Sequence, residues 1–456
     1  MTSLTPYNQL YQKYDIPCPR YTSYPTVPLW DDNFTSEDFK GSLISHKKGI
    51  ANEGISLYIH LPFCEELCTY CGCNKRITKN HSVELPYIIA VLQEWELYSI
   101  LLEEIKIKEI HLGGGTPTFF SPDNLNLLIS SILKNCIVSD DFEFSVEVHP
   151  NFTTKEHMDT LAKLGFKRIS VGIQDFDPKV QFIINRIQSF DKTKEVIDYA
   201  RKVGFNSVNA DIIYGLPLQT KESIKHTIDC IKKLRPDRIA FYSYAHVPWK
   251  SKGQRRYNDA DLPSGEYKRE LYVDGKLLLK DAGYMELGMD HFALASDTLF
   301  KAFKEKKLHR NFMGYTVYKT KYIIGLGVSS ISDLGNAYYQ NEKEMEKYKE
   351  KIHNNHPAIE KGHHLTPVDQ EIRNHILALM CQYETELKAS TAISQEIVNQ
   401  IINRLKFLKE DGLVTISGSK VKVTETGKSF VRNIASCFDI RLHAKEQKEK
   451  IFSRAI

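Results

Sequence analysis

The sequence predicts an α/β protein with a partial (β/α)6-type barrel, an N-terminal arm before it and a mainly helical, winged-helix-like domain after it. Short apolar runs alternate with amphipathic stretches of helical length, such as residues 121–134 and 191–203. The runs are LYIHL (57–61), IKEIHL (107–112), FEFSVEV (142–148), RISVGIQ (168–174), SVNADIIYGL (207–216) and RIAFYSY (238–244). Strand–helix alternation gives a parallel sheet with right-handed crossovers. Six such units make an open or partial barrel.

The two flanking segments have a different texture. The first fifty residues carry PRYTSYP at 19–25, whose prolines and turn-formers argue against a regular helix. Near the C-terminus we predict helices at 371–382, 394–400 and 401–411, followed by a hairpin, LVTISGSKVKVT (413–424). The predicted domains are an arm at 1–50, a catalytic domain at 51–360 and a covering domain at 361–456. The segment GYTVYKTKYIIGLGVSS (314–330) is predicted to add a strand or loop near the site.

Composition excludes several classes of protein. The 456 residues carry 61 basic and 57 acidic side chains, a formal net charge of +4, and 42% of them are hydrophobic. So small an excess gives no argument for nucleic acid or an anionic membrane surface, and no basic recognition helix stands out in the winged-helix-like segment. The N-terminus is polar and no run of about 18 apolar residues occurs. We expect a cytoplasmic enzyme with no membrane span and no nucleic-acid partner.

Four of the nine cysteines lie within ten residues of each other, directly after the first apolar run. Cys64, Cys68 and Cys71 have the spacing C-x3-C-x2-C, and Cys73 follows. Soft thiolates are the ligands of iron–sulfur clusters, and three of them leave one iron of a 4Fe-4S cluster open for chemistry. A closed four-cysteine zinc site, a ferredoxin-type cluster and ordinary buried thiols are the alternatives.

Unusual residues follow the other apolar runs at or near their ends. They are GGGTPT (113–118), Glu147, Gln174, Asp211 and the pair Tyr244-Ala245. In parallel sheets and α/β barrels, chemistry collects at the carboxyl ends of the strands. The glycines would let a ligand approach the backbone closely, although a tight turn explains GGGTPT equally well when it is taken alone. The carboxylates would accept hydrogen bonds from a ligand.

Taken together, these motifs resemble those of the oxygen-independent coproporphyrinogen III oxidase family within the radical S-adenosylmethionine (SAM) superfamily. The matching motifs are PRYTSYP (19–25), YIHLPFCEELCTYCGCNK (58–75), HLGGGTPT (111–118), SVEVHP (145–150), VGIQDFD (171–177), DIIYGLP (211–217), YAHVP (244–248), GMDHFA (288–293), HRNFMGYT (309–316) and FSRAI (452–456). The resemblance implies a radical SAM barrel. It also implies decarboxylation of two propionates of coproporphyrinogen III to vinyls, giving protoporphyrinogen IX in haem biosynthesis.

The resemblance also implies cofactors and the residues that bind them. A 4Fe-4S cluster would be bound by Cys64, Cys68 and Cys71, and two SAM molecules would lie beside it as sources of 5'-deoxyadenosyl radicals. The residues expected at the cluster-bound SAM are Tyr58, Gly114, Glu147 and Ile331. Those expected at the second SAM are Tyr70, Gly115, Thr116, Gln174, Arg186, Asp211 and Ala245. Two positions depart from the family pattern: Tyr70 stands where Phe is expected, and His149 where Asp is expected.

The implied substrate carries four carboxylates, so its site should offer cations. We expect Arg20, Arg310 and Arg454 to serve, while Tyr21 and Tyr24 either touch the substrate or only pack. His291 is either a proton-relay group or a hydrogen-bonded core histidine. An unidentified electron donor and acceptor are implied, and a monomer is expected. The alternatives are a haem carrier on the same scaffold, another radical SAM activity on a tetrapyrrole, and a winged-helix regulator.

Overall fold

A computed structural model describes residues 6–31, 33–249 and 251–444. Its helices are α1 (Pro6–Tyr14), α2 (Ser36–Glu53), α3 (Glu84–Ser99), α4 (Pro122–Leu133), α5 (Lys155–Lys163), α6 (Pro178–Ile183), α7 (Phe190–Lys202), α8 (Lys221–Leu234), α9 (Gly265–Asp281), α10 (Thr298–Lys304), α11 (Met345–His353), α12 (Pro367–Gln382), α13 (Gln395–Glu410), α14 (Val431–Ser436) and α15 (Ile440–Ala444). Within these ranges, no helix is both long enough and apolar enough to cross a bilayer.

The strands form one large sheet and three small ones. They are β1 (Ile55–Leu61), β2 (Phe63–Cys64), β3 (Arg76–Ile77), β4 (Lys106–Gly114), β5 (Ile137–Val148), β6 (Phe166–Gln174), β7 (Ser207–Tyr214), β8 (Arg238–Ser243), β9 (Tyr284–Gly288), β10 (His291–Leu294), β11 (His309–Asn311), β12 (Gly314–Thr316), β13 (Tyr322–Leu326), β14 (Ile331–Asp333), β15 (Ala337–Asn341), β16 (Ile359–His364), β17 (Glu384–Glu386), β18 (Val414–Ser417) and β19 (Lys420–Val423).

The large sheet has twelve strands in the order β16-β15-β14-β13-β1-β4-β5-β6-β7-β8-β10-β9. Strand β1 and strands β4 to β8 run parallel in sequence order, so the six-unit partial barrel predicted from the apolar runs is confirmed. Strand β13 extends the parallel set beyond β1, and antiparallel strands complete both edges. All six carboxyl ends of the predicted strands therefore face the same end of the sheet, which we call the site end.

Local sequence explains where several helices begin. Helix α4 starts with a proline, and the side chain of Ser121 accepts a hydrogen bond from Asn124 N. Thr35 and Thr366 each form a reciprocal capping box with the aspartate three residues later, at the starts of α2 and α12. Satisfying the free N–H groups of a first turn in this way contributes about 1 kcal/mol for each cap. These caps fix the register of helices that pack on the sheet.

Two helix predictions need correction. The predicted irregular arm is wrong at Pro6–Tyr14, which form α1, and from Ser36 onward, where α2 begins and buries Phe39, Leu43 and Ile50 in the core of the sheet. The separate helices predicted at 394–400 and 401–411 form one helix, α13, because no proline or glycine interrupts its buried stripe. The division at 1–50, 51–360 and 361–456 stays a prediction; α2 and β16 cross its two boundaries.

The arm and the C-terminal segment share a hydrophobic core of their own. Tyr11 and Tyr14 on α1 pack against Phe430 in tilted and edge-to-face arrangements, with ring centroids 4.8 and 5.7 Å away. Tyr21 and Tyr24 are buried in the same core, beside residues of α12 and α14. The winged-helix-like prediction agrees with the three-stranded sheet β17-β19-β18, which follows α12 and flanks α13. Two distant parts of the chain thus form one body beside the barrel.

Candidate functional site

The cysteine motif lies on a loop fixed to the sheet at the site end. Strand β2, which contains Cys64, pairs with β3 and so closes the loop between them. The backbone of GGGTPT pairs with the same segment: Gly115 N donates to Leu61 O at 2.9 Å, and Thr116 N donates to Phe63 O at 2.9 Å. The two strongest sequence motifs, far apart in the chain, are therefore directly hydrogen-bonded to each other.

Polar groups on neighbouring elements reach two of the three predicted cluster thiols. Thr116 Oγ1 donates to Cys64 Sγ at 3.4 Å, and Arg186 Nη1 donates to Cys68 Sγ at 3.5 Å. Donors of this kind stabilise thiolate ligands. Within the described residues, no three His, Cys, Asp or Glu side chains are close enough to hold a single metal ion. The ligands of a 4Fe-4S cluster bind different irons and need not meet at one point, so this loop fits the cluster.

The thiols differ in acidity. Burial raises the pKa of Cys64 to about 11. The side chain of Cys73 donates to Cys71, and this bond, with the charge of Lys75, lowers the pKa of Cys71 to about 6 despite burial. The Lys75 ammonium also donates to Cys71 O at 3.0 Å. Cys71 is thus the thiol most easily ionised, with Cys73 as its neighbour.

Glycines 113–115 are required by close packing at the end of β4. A Cβ on Gly113 would lie 3.1 Å from the Glu147 carboxylate, and one on Gly114, whose φ is +113°, would lie 2.7 Å from the His60 ring. A Cβ on Gly115 would lie 2.7 Å from the Pro62 carbonyl carbon. The glycines therefore let the strand end approach both the cysteine loop and the carboxylate on β5.

Glu147 is held in one orientation by hydrogen bonds. His111 Nε2 lies 3.1 Å from Glu147 Oε1, and Gly114 N donates to Oε2 at 3.3 Å. His111 Nδ1 lies 2.7 Å from Ser145 Oγ, which fixes the imidazole in turn. Burial alone would raise the pKa of Glu147, but the hydrogen bond and charge of His111 hold it below its usual range. Glu147 is therefore an ionised acceptor at the site end.

Asp211 is held by a second small network. Ser170 Oγ donates to its Oδ2 at 3.0 Å, and Asn209 Nδ2 donates to its Oδ1 at 2.8 Å and to Ser170 Oγ at 2.9 Å. Burial, reinforced by the charge of Glu147, raises the pKa of Asp211 to about 6. Both carboxylates line one small cavity of about 80 Å³, together with Tyr242 and His291. The structure therefore brings these two predicted residues together.

Arg186 connects the cysteine loop to the strand ends. Its Nη2 donates to Gly172 O at 2.5 Å, while Nη1 reaches Cys68. Its Nε is buried and has no hydrogen-bond partner in the part of the chain that the structure describes. Gln174, at the end of β6, is buried with a φ of +69°. A buried guanidinium with an unused donor fits an anionic or acceptor-rich ligand at this point.

Tyr70 and Ala245, predicted for the second SAM, are joined by a residue that sequence reasoning missed. Gln254 Nε2 donates to Tyr70 O at 3.1 Å and to Ala245 O at 3.2 Å, and the side chain is buried. Its position in a short 3-10 helix carries no motif signal.

Two residues predicted for the cluster-bound SAM lie on other strands of the sheet. The Tyr58 ring stacks on His111, with ring centroids 5.9 Å apart, and Ile331 lies on β14, whose backbone packs against Gly325 of β13.

His149 has a structural explanation. Its Nδ1 accepts a hydrogen bond from Asn151 N at 3.2 Å and so caps the short helix that follows β5. Burial and the charge of Arg186 lower its pKa to about 2, which keeps the ring neutral and able to accept. An aspartate would accept the same hydrogen bond, so this departure from the expected pattern preserves the helix cap.

The predicted substrate residues are only partly brought together. Arg20 lies 4.0 Å from Asp290, and Arg310 is buried beside Tyr315. The Tyr21 hydroxyl donates to Asp439 at 3.1 Å within the core that the arm shares with the C-terminal segment, which supports packing as its role. His291 lies 3.5 Å from the Tyr242 hydroxyl. Arg454 and the motif FSRAI lie outside the described residues.

Comparisons with known proteins agree with this arrangement. Residues 58–231 match the radical SAM superfamily. A protein from Salmonella typhimurium named oxygen-independent coproporphyrinogen III oxidase is 37% identical over 98% of both chains. Proteins of the same name from Pseudomonas aeruginosa and Escherichia coli are 37% and 36% identical over the same shares.

A solved structure shares the whole fold. The structure described as coproporphyrinogen III oxidase (HemN) from Escherichia coli, a radical SAM enzyme, superposes with a TM-score of 0.87 at 34% identity, covering 92% of this chain and 97% of that one. The full-length identity and the shared fold confirm the resemblance drawn from the motifs. As a radical SAM oxidoreductase, the protein uses a 4Fe-4S cluster and SAM. This chain belongs to the oxygen-independent coproporphyrinogen III oxidase family.

Proposed function

We propose that this protein catalyses the oxygen-independent oxidative decarboxylation of two propionates of coproporphyrinogen III, giving protoporphyrinogen IX. The observation that carries the proposal is the meeting of the cysteine loop, the GGGTPT backbone and the paired carboxylates Glu147 and Asp211 at one end of the sheet. Relatives named for this activity match the chain from end to end.

We assign the cluster ligands to Cys64, Cys68 and Cys71. Thr116 and Arg186 already donate to two of these sulfurs, which supports the assignment. Cys73 is the hydrogen-bonding neighbour of Cys71 in this assignment and not a ligand. Arg186 would offset the negative charge that the thiolates bring to the site.

The SAM sites follow from the acceptors and glycines around the loop. The cluster-bound SAM would be held by Tyr58, Gly114, Glu147 and Ile331. The second SAM would be held by Tyr70, Gly115, Thr116, Gln174, Arg186, Asp211 and Ala245. Glu147 is an ionised acceptor for an amino group or ribose hydroxyl of the cluster-bound SAM, and Asp211, on β7, is the corresponding acceptor for the second SAM.

Held by the residues assigned above, the reduced cluster and SAM would supply the radical chemistry needed to remove hydrogen from a propionate side chain. The protein's own residues position the substrate and exclude water from the site. The arm and the C-terminal domain share a core next to the barrel, which suits them to cover the substrate. An external electron donor and acceptor complete the reaction, and we propose that the protein acts as a cytoplasmic monomer.

An anaerobic assay tests this proposal. Reconstituted protein is given coproporphyrinogen III, SAM and a strong reductant, and the oxidised products are separated by chromatography with mass detection. We expect protoporphyrin and 5'-deoxyadenosine together. Deoxyadenosine with a different tetrapyrrole product would reject the proposed reaction. If the protein has an intact cluster, binds haem and forms neither product, the haem-carrier alternative is favoured.

A further inference from the structure

Asp290 is a sheltered carboxylate that accepts no hydrogen bond from the described residues. It lies in the turn between β9 and β10, and Phe241 N of β8 donates to its backbone oxygen at 2.7 Å. Only 15% of its side chain is exposed. The nearest cation, Arg20 Nη1, is 4.0 Å away, beyond hydrogen-bond distance, and no group in the described parts of the chain donates to the carboxylate. Buried carboxylates normally accept several hydrogen bonds.

Four cations surround this carboxylate, and we call them the cation ring: Arg20, Lys268, Arg310 and Arg432. Burial raises the pKa of Asp290, while the charges of all four oppose the effect. Arg20 and Lys268 are fixed to the end of β8, since they donate to Ser243 O at 3.3 Å and to Tyr244 O at 2.7 Å. Burial lowers the pKa of Lys268 to about 8. Asp15 also faces Lys268, so four cations stand against two carboxylates and the positive charge is in excess.

Arg310 provides an independent indication of a ligand. The residue is 6% exposed, yet its Nε and Nη1 have no hydrogen-bond partner among the residues that the structure describes. Its guanidinium lies over the Tyr315 ring, 4.7 Å from the centroid. The ring restricts the orientation of the guanidinium and leaves its N–H donors available to other groups. A buried guanidinium that makes no hydrogen bond to an anion is costly. An anionic ligand at this position would remove that cost.

A porphyrinogen has the complementary chemistry. Its four pyrroles are joined by methylene bridges, and their N–H groups are donors only, which converge near the centre of the flexible macrocycle. The propionate carboxylates are at the rim. An ionised carboxylate is an acceptor only, and an arginine is a donor only. A central acid with cations around it therefore matches both parts of such a molecule.

We propose, resting on the proposed function, that Asp290 binds the pyrrole N–H groups at the centre of coproporphyrinogen while the cation ring binds carboxylates at its rim. This places the macrocycle beside the SAM residues. Tyr242, whose hydroxyl lies 3.5 Å from His291, lines the same cavity as Glu147 and Asp211. Asp290 is thus a specificity residue that selects the reduced macrocycle, because a planar porphyrin turns two of its central nitrogens into acceptors.

Binding without reductant separates the two parts of the proposal from turnover. Anaerobic ultrafiltration of the cluster-loaded protein with SAM measures the affinity for coproporphyrinogen III, which is then oxidised for fluorescence detection. Coproporphyrin III, with the same carboxylates, is measured in parallel. We expect the wild type to bind the reduced form at least about tenfold more tightly, as a site built around hydrogen bonds should. Equal affinities would overturn the proposal without any variant.

The variants assign the effect to residues. Asp290→Asn should weaken binding of coproporphyrinogen about 10- to 100-fold and leave coproporphyrin binding little changed. Arg310→Gln should weaken the binding of both coproporphyrinogen and coproporphyrin. Arg310→Lys, which keeps the positive charge, should lose less affinity. Asp198→Asn, on the exposed face of α7, is the matched control.

The cluster absorbance and unfolding midpoint of each variant verify that it is folded. Wild-type affinity for coproporphyrinogen in folded Asp290→Asn overturns the central role of Asp290. The product assay on the wild type is independent of these affinities. A protein that binds coproporphyrinogen selectively but makes no protoporphyrinogen would contradict the proposed function and leave this binding assignment standing.

Discussion

Two sheltered carboxylates in this molecule have opposite surroundings. Glu94, on α3, is fully buried and accepts hydrogen bonds from Gly327 N, the hydroxyls of Tyr98 and Tyr348, and Asn341 Nδ2, at 2.5 to 2.7 Å. Asp290, at the site end, accepts none from the described residues and faces four cations. The first is a finished structural network. The second has charges that the described parts of the chain do not satisfy, and unsatisfied buried charge indicates a ligand site.

The largest effect is expected at the cysteine loop. Serine at Cys64, Cys68 or Cys71 should abolish the cluster, because a hydroxyl is a poor iron ligand beside thiolates. Visible absorbance and iron content after reconstitution measure this loss. Cys73→Ser, in the same loop, is the matched control and should retain the cluster band. A Cys73 variant that loses the band would make Cys73 a ligand and reopen the assignment.

Removing Glu94 from its hydrogen-bond network should lower the free energy of unfolding and leave turnover unchanged. Glu94→Ala leaves four donors without their acceptor, and we expect the free energy of unfolding to fall by about 3–5 kcal/mol. Chemical denaturation followed by circular dichroism gives the value. Turnover per folded molecule, measured well below the new midpoint, should be unchanged. A Glu94 variant with normal stability would show that satisfied buried carboxylates are not what holds α3 to the sheet.

Changing an acceptor at the site end should affect ligands far more than folding. Glu147→Gln removes a charge-assisted acceptor, worth about 1.5–3 kcal/mol, so SAM should bind about 10- to 100-fold more weakly. Equilibrium dialysis with the cluster-loaded protein measures the affinity. Ser145→Ala removes only the partner of His111 and should have a smaller effect. Unchanged SAM affinity in Glu147→Gln would remove Glu147 from the cofactor site.

The smallest effect concerns pH. The pKa of Asp211 is about 6 in the folded protein and about 3.9 when unfolded. Between these values the folded state binds more protons, so stability falls as pH rises through this window. Asp211→Asn should flatten that slope and stabilise the cofactor-free protein at pH 7 by about 1–2 kcal/mol, since the side chain is partly accessible. Thermal melts at pH 4 and 7 test this, with Asp198→Asn as control.

The sequence predicted the parts of the molecule whose signals are local. Six apolar runs predicted the six parallel strands. Glu147 lies at the end of β5 as expected, whereas Asp211 lies inside β7, which continues to Tyr214. The spacing of Cys64, Cys68 and Cys71 indicated the cluster loop without any tertiary information. Helix α2 was missed because the prolines and aromatics at 19–25 dominated the composition of the arm.

The remaining residues depend on contacts that no local pattern encodes. His111 positions Glu147 from a neighbouring strand, and Asn209 and Ser170 position Asp211 across β6 and β7. Gln254 donates both to Ala245 and to Tyr70, and Tyr70 lies 184 positions before Gln254 in the chain. Such roles follow from strand order and register, which the periodicity of one strand cannot give.

The charge of Glu94, satisfied wholly within the protein, maintains the fold, while the charged groups at the site end bind ligands. The most direct test measures Glu94→Ala and Glu147→Gln side by side, for unfolding free energy and for deoxyadenosine formation per folded molecule at low SAM concentration. The account predicts a lower unfolding free energy with normal turnover for the first variant, and normal stability with slow turnover for the second. Parallel losses of both quantities in both variants would contradict it.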